Sequence, residues 1–92
     1  MISSIRHKGL RRFLEEDDAS GIDGRHRKRL RLILTALDAA RKAEDLRFPG
    51  SNFHALKGQL AGYWSVSVSG NWRVIFRFEG GDAFDIDYVD YH

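Results

Sequence analysis

The chain has 92 residues, 42% hydrophobic and 30% charged, the balance of a soluble globular domain with room for one core. It contains no Cys, so disulfides, thiolate chemistry and Cys-ligated zinc are excluded together. Net charge is only +2, yet residues 1–50 carry 12 Lys/Arg against 8 Asp/Glu, while residues 51–92 carry 3 against 5. A basic half suits a polyanion or an acidic partner, and equally a solvated helix surface. No apolar run is long enough for a signal peptide or a membrane span, so the expected location is the cytoplasm.

Ile2-Ser-Ser-Ile-Arg reads as a short edge strand. Lys8 to Glu16 reads as a helix with Leu10, Phe13 and Leu14 on one face, and Asp17 to Gly21 as a turn. A long helix follows. Ile22, His26, Leu30, Ile33, Leu34, Leu37 and Ala40 form one apolar stripe, Asp23 suits its N-cap, and Pro49-Gly50 ends it near Arg47.

From Phe53 the period changes from 3.6 to 2. Trp64, Val66 and Val68 alternate with serines; Trp72, Val74, Phe76 and Phe78 alternate with Arg73, Ile75 and Arg77; Phe84, Ile86 and Tyr88 alternate with Asp85 and Asp87. Ser69-Gly70-Asn71 and Gly80-Gly81-Asp82 read as three-residue hairpin loops, pairing Val68 with Trp72 and Glu79 with Ala83. The fold class is α+β, with helices on one face of an antiparallel meander. In that register Arg77 lies across from Asp85, a structural ion pair. Arg73 lies between Ser67 and Val89 with no carboxylate opposite, so its guanidinium is available for a phosphate.

Four histidines are present. His7, in a polar stretch, reads as solvated, and His26, on the apolar stripe, as packed. No metal-ligand spacing occurs, and no metal site is expected. His54 and Lys57 fall on opposite sides of a regular strand and converge only if the segment bends, which Gly58 allows. By alternation Asp90 and His92 point toward the core, a costly placement unless they pair or the strand ends early.

Asn52-Phe-His-Ala-Leu-Lys-Gly, Gly62-Tyr-Trp-Ser-Val, Asn71-Trp-Arg-Val-Ile-Phe and Asp90-Tyr-His, taken in order, resemble the HigB branch of the RelE/ParE toxin superfamily. The resemblance spans the chain and is strongest over residues 52–92. Ala55 stands where relatives often have Pro, and Ser51 looks like an added loop residue. The resemblance implies a RelE-like microbial ribonuclease fold, helices packed on a curved antiparallel sheet, over 1–92 as one domain. It implies a type II toxin that enters the ribosomal A site and cleaves translated mRNA without a cofactor, neutralised by a helix-turn-helix antitoxin of the HigA kind. Carried over by position, its catalytic residues are His54, Lys57, Arg73, Asp90, Tyr91 and His92.

The chemistry of those side chains is adequate. Metal-free cleavage needs a base for the 2′-OH, an acid for the leaving 5′-oxygen and cations for the phosphate. Histidines suit the proton transfers, Lys57 and Arg73 the phosphate, Asp90 a proton transfer or the orientation of a histidine, and Tyr91 a base stack. Which histidine is base and which acid stays open at this point. Two other readings compete: a ParE-like non-catalytic toxin that poisons a protein such as DNA gyrase, and an RNA-binding module without turnover.

Overall fold

The computed structural model describes residues 1–90, so the expectations for Tyr91 and His92 lie outside the described residues. Two helices, α1 (Lys8–Glu16) and α2 (Arg27–Ala39), pack against one face of a four-stranded antiparallel sheet. Its strands are β1 (His54–Ala55), β2 (Trp64–Ser69), β3 (Trp72–Glu79) and β4 (Asp82–Asp90), adjacent in chain order. Leu10, Phe13, Leu30, Ile33, Leu34 and Leu37 from the helices meet Val66, Val74, Phe76, Ile86 and Tyr88 from the sheet in one core. The α+β expectation holds.

The N-terminal segment does add to the sheet, but in parallel and only at two points, Ile2 beside Ala83 and Ile5 beside Ile86. It borders β4, opposite the β1 edge.

His7 is not simply solvated. It is half-buried and caps α1, its Nδ1 accepting from the Leu10 N–H at 3.0 Å, and its ring meets Tyr88 edge-on at 5.2 Å. Leu14, placed on the apolar face of α1 by spacing, is 43% exposed. The predicted long helix is three pieces. Asp23 caps a 3₁₀ turn (Gly24–His26) that leads into α2. Beyond α2, Ala40 is extended, and a second 3₁₀ turn spans Ala43–Leu46. The Asp45 carboxylate explains that break: it accepts from the Arg41 and Lys42 N–H groups, taking donors a continuing helix would use.

Both hairpin loops are tighter than predicted. Ser69 pairs with Trp72 and Glu79 with Asp82, leaving two-residue turns. Each is corrected by one extra residue further along. Val68 is the first, so Ser67 still faces Arg73 and Val66 faces Val74. The second bulge includes Asp85, in the left-handed region at φ 51°, with its N–H on the Ser4 hydroxyl at 2.9 Å. Arg77 therefore pairs with Phe84 across the strand, although its Nη1 still reaches the Asp85 carboxylate at 3.7 Å. The bulge moves Phe84 to the open face and gives Ala83 the core position, while Ile86 and Tyr88 remain in the core.

Candidate functional site

The register brings two of the six predicted residues onto one face of the sheet. Directly opposite residues share a face, so His54, Ser65, Ile75 and Asp87 form one row, and Ser67, Arg73 and Val89 the next. This is the face turned away from the helical core. Strand spacing and rise place the Cα atoms of His54 and Arg73 roughly 12 Å apart.

Each of the two is oriented by local contacts. The Arg73 Nη1 donates to the Gly70 carbonyl at 2.7 Å, the Trp72 carbonyl at 3.1 Å and the Ser67 hydroxyl at 3.2 Å. Among the described residues no carboxylate forms an ion pair with it, as the register argument expects. One end of the guanidinium is anchored and it has no carboxylate partner among the described residues, a condition that suits anion binding. His54 is exposed, and its Nδ1 lies 2.9 Å from the Asn52 carbonyl.

The others are placed differently. Pairing continues past β1, since the Leu56 N–H donates to the Tyr63 carbonyl at 2.9 Å, and Lys57 is extended and exposed. The chain bends only afterwards, at Gly58 with φ 68°. No hydrogen bond or ion pair joins Lys57 to His54 or Arg73 among the described residues. Asp90 is opposite Trp72, so by register it belongs to the Trp72–Tyr88 side and not to the Arg73 side. Its charge is also one of those holding the Tyr88 phenol above its ordinary pKa, burial being the larger cause. Asp90 is exposed.

Arg6 was not singled out by spacing. From the N-terminal segment its Nη1 reaches the Tyr63 hydroxyl at 3.4 Å, a contact that raises its pKa, with Asp87 and Asp85 adding to the effect. Arg77 lies on the same face between the Tyr63 and Phe84 rings, 5.9 Å and 5.1 Å from their centroids. The face thus presents the exposed Arg6 and Arg77 beside the half-buried Tyr63 and Phe84 rings. A groove of about 710 Å³ is lined by the N-terminal segment, α1 and α2, and contains none of the candidate residues. Among the described residues no group of three or more His, Asp or Glu is placed to hold a metal ion. No helix there is long and apolar enough to cross a membrane.

Residues 3–92 match the family model described as RelE-like toxin of type II toxin-antitoxin system HigB. The chain belongs to the HigB-like toxin family. It is 40% identical to the Endoribonuclease HigB of Proteus vulgaris, with both chains covered in full. It is 35% identical to Toxin HigB-1 of Vibrio cholerae serotype O1, over all of this chain and 98% of that one. As a HigB-like toxin it has an antitoxin as its partner, and its helices on an antiparallel sheet agree with the RelE-like fold.

Proposed function

We propose that this HigB-family toxin is an endoribonuclease that cleaves translated mRNA in the ribosomal A site and so stops translation. The observation that carries this reading is the shared face of His54 and Arg73: an exposed proton-transfer group and a half-buried cation with no carboxylate partner among the described residues. An open face, unlike a closed pocket, accommodates a polynucleotide strand, and half-buried aromatics beside arginines suit its bases and phosphates. His54, Lys57, Arg73, Asp90, Tyr91 and His92 form the proposed site, within a single toxin domain over residues 1–92.

Cleavage begins with attack of a 2′-oxygen on the adjacent phosphorus and ends with loss of the 5′-oxygen. A base takes the 2′-OH proton, an acid supplies one to the leaving oxygen, and the products are a 2′,3′-cyclic phosphate and a 5′-OH. Arg73 and Lys57 neutralise the phosphate as charge accumulates. The cytoplasm, the ribosome and a helix-turn-helix antitoxin of the HigA kind complete the proposal.

The test is an in vitro translation reaction with the purified chain and a mapped mRNA. Cuts confined to translated codons, ending in cyclic phosphate and lost with Arg73→Ala and His92→Ala, are expected. Intact mRNA together with a stalled DNA gyrase would overturn the reading in favour of the ParE-like one.

A further inference from the structure

Asn52 precedes His54 by two residues and has φ 49°, in the left-handed region that Asn tolerates better than most residues. Its carbonyl oxygen is the atom 2.9 Å from His54 Nδ1. A carbonyl only accepts, so the proton between them sits on Nδ1. Neutral His54 is then the Nδ1–H tautomer, and Nε2 carries the unshared pair.

The loop presenting that carbonyl is braced from two directions. Ser51, 2% exposed, accepts the Ser67 N–H of β2 on its carbonyl at 2.7 Å and the Phe48 N–H on its hydroxyl at 3.3 Å. Arg29 from α2 donates to the Gly50 carbonyl at 2.7 Å and to the Ser67 carbonyl at 3.2 Å. Ser67 is the residue whose hydroxyl also takes an N–H from Arg73. One short stretch of β2 therefore fixes both the loop before His54 and the guanidinium across the face.

We propose that Asn52 is a positioning residue for RNA cleavage: its left-handed backbone aims the carbonyl at Nδ1 and presets His54 Nε2 as the acceptor of the 2′-OH proton. This rests on the reading of His54 as part of the cleavage site. In the step, the 2′-O–H proton passes to Nε2 as the 2′-oxygen bonds to phosphorus. The P–O5′ bond breaks with its electron pair, and the 5′-oxygen takes a proton from a separate acid at the site. His54 becomes imidazolium, and the Nδ1–H bond to Asn52 becomes charge-assisted as that charge develops. The carbonyl thus stabilises the transition state more than the ground state.

The experiment reads the His54 ring nitrogens by ¹⁵N NMR in the native chain and in Asn52→Gly and Asn52→Val, with cleavage on translating ribosomes across pH and a thermal melt of each. Glycine adopts the left-handed region freely, while a β-branched residue resists it. The native chain should show Nδ1–H in the neutral ring, and Asn52→Gly should keep both that tautomer and native cleavage. Asn52→Val should lose the tautomer and cleave about tenfold or more slowly, with a shifted pH profile. An Nε2–H tautomer in the native chain overturns the proposal and leaves the site reading standing. Native cleavage by His54→Ala, with Nδ1–H present in the unmutated chain, overturns it through the site reading instead.

Discussion

Arg29 on α2 donates from Nε to the Ser67 carbonyl at 3.2 Å, joining the helical layer to the strand that anchors Arg73. Its Nη2 holds the Gly50 carbonyl as well, and its guanidinium lies 5.2 Å from the Phe48 ring centroid. Truncation to Arg29→Met keeps the apolar stem but removes both donors. Because Arg29 acts only through the groups it holds, cleavage on translating ribosomes should fall about tenfold, while the melting temperature drops only a few degrees. Unchanged cleavage would show that the brace is not needed for the site.

Arg73 and Arg77 share a face and differ in partners. Arg77 has the Asp85 carboxylate and two rings, whereas Arg73 has only neutral acceptors among the described residues. Arg73→Ala should lower cleavage on the order of 10²–10³-fold, as for loss of one preorganised donor, and Arg77→Ala should leave it within a few-fold of native. The ion pair is partly exposed, so Arg77→Ala should also alter stability by less than about 1 kcal/mol. Matching losses in a side-by-side cleavage assay would contradict the division of roles.

Tyr88 and His26 meet in the core through a 2.6 Å hydrogen bond between the phenol and Nδ1, with Trp72 stacked on Tyr88 at 4.5 Å. The phenol also lies 3.4 Å from the Asp23 N–H. Tyr88→Phe leaves the His26 nitrogen without this partner and should cost about 1–3 kcal/mol in a urea melt. Burial, the largest cause, raises the Tyr88 pKa above its ordinary value of 10.0. The protonated phenol is therefore favoured more in the folded state than in the unfolded one. That contribution is complete below pH 10 and is lost as pH rises through the folded-state pKa. Stability of the native chain should decline above about pH 10, and Tyr88→Phe should flatten that part of the decline. An identical alkaline limb in both proteins would assign the effect to other groups.

Gly9 in α1 and Gly21 in the following turn touch backbone to backbone. A Cβ on Gly9 would stand 2.2 Å from the Gly21 carbonyl oxygen, and neither partner is a flexible side-chain end. Gly9→Ala should therefore destabilise the fold by about 1–3 kcal/mol despite the better helix propensity of Ala. Gly24→Ala, with open space at its Cβ, is the control and should leave the denaturation midpoint nearly unchanged. Equal stability of Gly9→Ala and the native chain would mean that the α1 contact yields at little cost.

Residue periodicity determined the two-layer α+β fold because burial on one face imposes its own spacing on a helix or a strand. Leu30, Ile33, Leu34 and Leu37 on α2, with Val66, Val74, Phe76 and Ile86 in the sheet, are the core for that reason. The placement of Arg73 between Ser67 and Val89 was legible too, since only one register keeps that apolar set together. The ordered motifs pointed to the HigB-like family. Tertiary structure decided what depends on partners distant in the chain. The bulge that includes Asp85 is held by Ser4, 81 residues away, and Arg6 reaches Tyr63 across 57. The same holds for the candidate site. His54 and Arg73 share a face because β1 pairs with β2 at Ser65, while Asp90 falls beside Trp72 on the other side by the strict alternation of an extended strand. Spacing along one segment records which side chains are buried, but strand pairing decides which exposed ones stand together.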